Sequence, residues 1–222
     1  MVPFMTHVII AIDGPSASGK GSLARKLAKE LGYAYLDTGA LYRCVGKAVI
    51  DKKGDPADEA VAIAAAKFFI ENVRTEDLLD PSLRNDEIGQ AASMVGKFGK
   101  VRDVLLQFQK DFAHMPQADL KGVILDGRDI GTVICPDADV KLFITASTEE
   151  RSKRRFKELS SKGITTSYDL VFIDMKQRDE RDSSRSAAPL KPADDAHILD
   201  TTTMGEAEVL ERALDIIKSH AG

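Results

Sequence analysis

Apolar residues gather along the chain into short runs that stop abruptly at polar residues, and between those runs they recur at helical spacing. His7 to Asp13, Tyr33 to Asp37, Gly122 to Asp126, Val140 to Thr145 and Ala196 to Asp200 are such runs, each ending on a carboxylate or hydroxyl. Buried parallel strands read this way. After the first run, Leu23, Leu27 and Leu31 repeat every four residues on one helical face, and near the end Leu210, Ala213, Leu214 and Ile217 do the same. Helix starts are marked by Ser147 with Glu150, by Thr203 with Glu206, and by Asp55 before Pro56 as cap and first helical residue. The alternation predicts an α/β fold. Its centre is a five-stranded parallel sheet flanked by helices on both faces and joined by right-handed crossovers. From about Gly39 to Met115 the rhythm changes to mostly helical pattern, so this segment reads as an insertion between the second and third core strands.

Composition narrows the class. The chain has 222 residues, enough for one core plus an excursion. Lys and Arg total 31 against 35 Asp and Glu, a formal charge of −4, with 43% hydrophobic residues. That balance suits a globular core and favours neither disorder nor a dedicated nucleic-acid binder. The longest near-apolar stretch, Ala60 to Ile70, is interrupted by Lys67 and falls well short of the ~20 residues needed to span a bilayer. No Lys or Arg precedes the apolar run Val8 to Ile12, so the layout of a secretory signal is missing and a cytoplasmic location is expected. Cys44 and Cys135 are the only cysteines, too few for a disulfide scaffold or a multi-cysteine metal site.

The strongest chemical signal is Gly14-Pro15-Ser16-Ala17-Ser18-Gly19-Lys20-Gly21-Ser22, which follows the first strand and opens the first helix. Gly14 and Gly19 permit turns that aim successive N–H groups inward, and the helix N-terminus adds positive potential where a polyphosphate would sit. Lys20 supplies a mobile cation for the β- and γ-phosphates of ATP, and a hydroxyl near the helix start can reach phosphate or the Mg²⁺ shell. The usual pattern places Ser or Thr directly after the lysine. Here Gly21 occupies that position and Ser22 is displaced by one residue. Asp126, ending the run Val123-Ile124-Leu125-Asp126, is the candidate carboxylate for orienting Mg²⁺, directly or through water. Its competing reading is a strand-ending turn residue before Gly127.

Arginines are the next clue, because a triphosphate and a phosphorylated acceptor bring many anionic oxygens together. If helix continues from Gln177 to Arg185, then Arg178, Arg181 and Arg185 share one face with Asp182. Pairing of Arg178 with Asp174 or Asp182 on a solvated helix would explain the same pattern. Arg151, Arg154 and Arg155 form a second cluster. There Glu149 with Lys153 and Glu150 with Arg154 make ordinary surface pairs, so a solvated face and a phosphate-closing lid stand level.

These residues resemble the bacterial cytidylate kinases, relatives of adenylate kinase among the P-loop nucleoside monophosphate kinases. The resemblance rests on Ile12 to Ser16 and Gly19 to Ser22, on Leu36-Asp37-Thr38-Gly39-Ala40-Leu41-Tyr42-Arg43, and on Asp126-Gly127-Arg128-Asp129-Ile130-Gly131-Thr132. It continues in Arg178 to Asp182 and Ala188-Pro189-Leu190. It implies a core of residues 1–38 and 116–222, an acceptor-binding insertion at 39–115 and a lid at about 151–166. The implied enzyme is monomeric and converts ATP plus CMP or dCMP to ADP plus CDP or dCDP for pyrimidine metabolism, with Mg²⁺. Carried over by position, Gly14, Pro15, Ser16, Ala17, Ser18, Gly19, Lys20, Gly21 and Ser22 would hold ATP, with Arg151 and Arg154 from the lid. Thr38, Arg43, Arg128, Arg178 and Asp182 would hold acceptor phosphate or ribose. Ser93, Arg102 and Asp129 would read cytosine. Lys20, Arg128 and Arg185 would carry the catalytic charge, and Ser22 and Asp126 the metal. Longer members of the family place a three-stranded excursion in the insertion, whereas here little more than Asn72 to Leu83 separates its helices.

The transfer needs no covalent nucleophile and no general base, since a 5′-phosphate with its second pKa near 6 is already an anion. His7, His114 and His197 need no catalytic assignment. A P-loop kinase for UMP, AMP or a small metabolite shares the phosphate machinery, and a nucleotide-dependent switch could use the same loop. The arginine excess at acceptor positions argues against the switch.

Overall fold

The computed structural model describes residues 7–115 and 120–220. Of the segments divided above, positions 1–6, 116–119 and 221–222 lie outside the described residues. The strands are β1 (Val8–Asp13), β2 (Ala34–Asp37), β3 (Gly122–Gly127), β4 (Val140–Thr145) and β5 (His197–Asp200). All pair in parallel in the order β2-β3-β1-β4-β5, as the run pattern predicts. The helices are α1 (Lys20–Leu31), α2 (Thr38–Asp51), α3 (Glu59–Asn72), α4 (Asp86–Val95), α5 (Gly99–His114), α6 (Thr148–Ser161), α7 (Tyr168–Ser184) and α8 (Glu206–His220).

Alternate residues of the central strand face opposite layers. Ile10 and Ile12 pack with Leu23 and Leu27 of α1 and with Val209, Ala213 and Ile217 of α8. Ile9 and Ala11 pack on the other side with Val123, Leu125, Ile130 and Ala113. With helices on both faces, a strand must be apolar throughout, which is why the runs lack a polar–apolar alternation. The helices between β2 and β3 have a core of their own, built from Leu41, Val45, Val49, Ala62, Ala66, Val95, Val101 and Leu105. Two short 3₁₀ turns, Thr75–Leu79 and Pro81–Arg84, occupy the place of a sheet excursion, and no strand occurs there.

Three local expectations are corrected. Asp55 and Pro56 form a turn in which the Asp58 N–H donates to the Asp55 carbonyl, and the helix starts one turn later, capped by Asp58 on the N–H groups of Ala60 and Val61. Two carboxylates three residues apart both fit a cap, and the one adjoining the apolar run takes it. The last helix begins at Glu206, after Gly205, so Thr203 lies outside the cap position. α7 ends at Ser184, and Arg185 is already extended (φ −63°, ψ 141°). Arg178 and Arg181 therefore share a helical face, while Arg185 turns away from it.

Candidate functional site

The carboxyl ends of β1, β2 and β3 open into a cavity of about 310 Å³, where ligands of open parallel sheets bind. On one side lies the glycine-rich loop. A Cβ on Gly14 would stand 2.0 Å from the carbonyl oxygen of Ile144 in the adjoining strand, so only glycine fits there. Gly14 (φ 150°), Ala17 (φ 57°) and Gly19 (φ 93°) take left-handed conformations. The loop is thereby curled so that backbone N–H groups face the cavity at the start of α1. Ala17 carries this conformation at a steric cost that glycine would avoid.

Lys20 opens α1 and donates from Nζ to the Pro15 carbonyl at 3.3 Å. Burial, and then Arg128, lower its pKa from 10.5 to about 7. Asp126 is buried near the end of β3, beside Asp37, its register partner in β2. Burial, and then Asp37, raise its pKa to about 7, while the Tyr35 hydroxyl donates to its Oδ2 at 3.1 Å. The displaced hydroxyl now has a physical reason. A Cβ on Gly21 would come within 3.0 Å of Asp126 Oδ2, so a Ser or Thr at that position would crowd the carboxylate. Ser22 is exposed and accepts from Arg25 Nη2 at 3.4 Å, whereas the Ser18 hydroxyl is buried without a partner.

The opposite wall is dense in guanidinium groups. Arg43 on α2 donates to the Leu83 carbonyl at 2.7 Å, and burial lowers its pKa. Arg128, just past β3, donates from Nε to Asp182 at 2.9 Å. Arg178 is half-buried with its Nε buried and unpartnered, and burial, followed by Arg128, lowers its pKa to about 9. Burial alone would raise the Asp182 carboxyl, yet Arg128 and Arg178 hold it below its ordinary value. Ser93 donates to the other oxygen of Asp182 at 3.3 Å. Gly89 on α4 leaves room for this convergence, since a Cβ there would meet Arg43 Nη1 at 3.3 Å and Arg178 Nη1 at 3.5 Å. Thr38 lies in the same wall, but its hydroxyl donates to the Asp126 carbonyl at 2.7 Å and so fastens α2 to β3.

At the inner end, Arg102 of α5 donates to Asp129 Oδ2 at 2.5 Å and to the Gly96 carbonyl at 3.1 Å, with its guanidinium 5.1 Å from the centre of the Tyr42 ring. Arg185 stands with this pair, 3.8 Å from Asp129 Oδ1, and donates from Nε to the Ala188 carbonyl.

The second arginine cluster is neither a solvated face nor a wall of the cavity at two of its positions. Arg151 is 4% exposed and donates to both oxygens of Asp179 (3.1 and 2.6 Å), to the Ala146 carbonyl at 2.9 Å and to the Ser16 carbonyl at 3.2 Å. Arg154 pairs with Glu150 at 3.1 Å as expected, and also holds the Thr201 carbonyl at 2.6 Å and the Ser18 carbonyl at 3.5 Å. Both brace the loop from outside through its carbonyls. Arg155 is the member that lines the cavity, pairing across its mouth with Asp86 of α4. Sequence reasoning gave no role to Asp37 or Tyr42 in the cavity, and it named Arg155 only within the cluster without singling it out. Asp37 was findable as a second carboxylate at a strand end. Arg155 could not be ranked above its neighbours, because helical spacing alone does not separate it from Arg154.

Among the described residues no three His, Cys, Asp or Glu side chains converge as a metal cage. Mg²⁺ does not require one, since it is held through one or two carboxylates, substrate phosphates and water. A buried carboxylate whose pKa burial and then the like charge of Asp37 raise to about 7 fits such an ion.

The family model for cytidylate kinase matches residues 10–219 of this chain. A cytidylate kinase of Paramagnetospirillum magneticum (strain ATCC 700264 / AMB-1) is 53% identical over 211 residues, covering 95% of this chain and 98% of the relative. One from Rhodospirillum rubrum is 52% identical over 210 residues, covering 95% of this chain and 97% of the relative. Among solved structures, an uncharacterized protein from Eubacterium ventriosum ATCC 27560 covers 97% of this chain and 98% of its own at 15% identity, with a TM-score of 0.50. That likeness bears on the fold alone.

Proposed function

Since this chain belongs to the cytidylate kinase family, we propose that its cavity transfers the γ-phosphoryl of ATP to the 5′-phosphate of CMP or dCMP, giving ADP and CDP or dCDP. The observation that carries the reading is the juxtaposition of three charge environments in one cavity. A curled phosphate loop with Lys20 faces a wall holding Arg43, Arg128 and Arg178, and a buried carboxylate–guanidinium pair, Asp129 with Arg102, closes the inner end. A polyphosphate suits the first, a phosphate the second and a cytosine the third. Cytosine offers an amino donor beside the acceptors N3 and O2, matching a carboxylate and a guanidinium in turn.

In this reading residues 39–115 bind the acceptor and about 151–166 form the lid. Lys20, Arg128 and Arg178 neutralise charge that develops on the transferred phosphoryl, and Arg185 joins them by turning from Asp129. Arg43 orients the acceptor phosphate, while Asp182, fixed by Arg128 and Ser93, faces its ribose. Arg155 closes the mouth and limits access of water, which would otherwise take the phosphoryl. The acceptor phosphate is already an anion, so the chain supplies position and charge rather than a base. Asp126, with Ser22 or through water, would hold Mg²⁺, which would supply neutralisation of phosphate charge when bound. The protein acts as a monomer on these small molecules, with neither nucleic acid nor membrane as a partner, and belongs to the cytoplasm. No described helix is long and apolar enough to cross a membrane.

ADP release from MgATP, measured separately with CMP, dCMP, UMP, AMP, GMP and no acceptor, tests the proposal. CMP and dCMP should dominate by tenfold or more, because uracil would face Asp129 with a carbonyl and Arg102 with an N–H, at a cost of about 1–3 kcal/mol per mismatched group. Equal turnover with UMP removes the cytosine assignment, and acceptor-independent ADP release removes the kinase.

A further inference from the structure

Asp129 opens a single π-helical turn, Ile130–Ile134, closed by the Cys135 N–H on the Ile130 carbonyl at 2.7 Å. The first N–H groups of any helical turn lack partners within it, and an Asp at the opening position ordinarily folds its own carboxylate back to accept from them. Asp129 makes no such bond. The N–H groups of Ile130 and Gly131 donate instead to Oδ1 and Oδ2 of Asp13, each at 2.8 Å, from 117 and 118 residues away in sequence. Asp13 is 5% exposed at the end of β1, and the next residue, Gly14, begins the phosphate loop.

We propose that Asp13 is the positioning residue for base selection: it caps, from another strand, the turn that Asp129 opens, and so frees the Asp129 carboxylate for Arg102 and the incoming base. This rests on the reading of Asp129 and Arg102 as the cytosine-reading pair. Ile130 and Gly131 are buried, so their N–H groups cannot be left without acceptors. Remove one Asp13 oxygen, and the acceptor closest in the chain is the Asp129 carboxylate itself. Once that carboxylate swings onto its own turn, Arg102 faces the base without it. Because β1 runs directly into the phosphate loop, one residue ties the position of the base-reading turn to that of the donor site.

Asp13→Asn tests this with little change of volume, since its amide keeps one acceptor and turns an NH₂ toward the other N–H. kcat/KM for CMP and UMP and the KM for ATP are measured in the wild type, Asp13→Asn, Asp129→Asn and the double variant. Asp13→Asn should lower the CMP:UMP ratio of kcat/KM about tenfold, as expected for one mismatched polar group, and move the KM for ATP by less than about threefold. In the double variant the ratio should match that of Asp129→Asn alone, because both changes remove the same carboxylate from the base. Equal losses for both acceptors, or additive effects on the ratio, overturn the proposal. If Asp129→Asn alone lowers the ratio, the base-reading assignment stands and Asp13 has no part in it. If neither variant lowers it, that assignment falls and the proposal with it. Should Asp13→Asn fail to fold, amide exchange in the wild type decides: Ile130 and Gly131 should exchange as slowly as β-sheet amides, and exchange at loop rates overturns the capping.

Discussion

Arg178 offers the sharpest separation between a phosphate site and an ordinary ion-paired helix. Replacing it with Met keeps most of the length of the side chain while deleting a half-buried charge. In the ligand-free protein that charge is badly placed. Burial and then Arg128 lower its pKa to about 9, Arg43 and Arg181 add further repulsion, and its Nε has no partner. Asp182, its nearest compensation, keeps the Nε of Arg128 at 2.9 Å after the replacement and so is not orphaned. Exchanging buried ionic groups for apolar side chains of similar volume commonly stabilises by about 1–4 kcal/mol. Imperfect packing of the thioether takes back part of this, leaving an expected gain of about 1–2 kcal/mol. At roughly 2–4 °C per kcal/mol for a chain of this size, Tm should rise by about 2–8 °C. Function should move the other way. Loss of a charge-assisted contact to phosphate should raise the KM for CMP or lower kcat/KM by about 10²-fold or more. Thermal unfolding with and without CMP, alongside steady-state kinetics, measures both, and the variant should gain less stability from CMP than the wild type does. A variant that is less stable than the wild type and turns over CMP normally would return Arg178 to the role of a structural ion pair.

Lys20→Ala should leave Tm nearly unchanged and lower kcat about 10² to 10³-fold, the cost of removing one group that meets developing charge; wild-type turnover would reject the P-loop assignment. Arg151→Lys cannot reproduce the bidentate pair with Asp179 together with the bond to the Ser16 carbonyl. It should raise the KM for ATP severalfold while the KM for CMP stays within about twofold, and the reverse ordering would show that Arg151 serves the acceptor side. Binding of ATP without Mg²⁺ should take up roughly half a proton at pH 7, because phosphates beside Lys20 raise a pKa that burial and Arg128 have lowered to about 7. Calorimetry in buffers of different ionisation enthalpy reads this uptake, and identical heats across buffers would refute it.

The sheet was legible because a strand covered on both faces leaves an unambiguous trace. Val8 to Ile12 holds nothing polar before Asp13, and Val140 to Thr145 holds only Lys141, whose ammonium reaches Asp195, before its closing hydroxyl. Helix limits were less legible wherever capping residues compete. Asp55 and Asp58 both offer a carboxylate before the apolar face of α3, and the choice depends on how that face meets Val49 and Val95 across the insertion. Arg185 was placed on α7 by counting, but its Nε is drawn to the Ala188 carbonyl, and the backbone leaves the helix one residue earlier.

In the site, the sequence pattern identified the groups that carry charge but not what each charge is spent on. Arg151, Arg154 and Arg155 are equivalent by helical spacing. Their fates differ because Asp179 on α7, Thr201 after β5 and Asp86 on α4 approach α6 from three directions. Two guanidiniums are consumed in holding loop carbonyls outward, which is what leaves the loop N–H groups free to face the cavity. The same logic applies to the carboxylates. Asp13 and Asp129 both stand beside one turn, and either could cap it. Because the more remote one does so, the nearer one is left with Arg102, and no local pattern in the chain distinguishes those two outcomes.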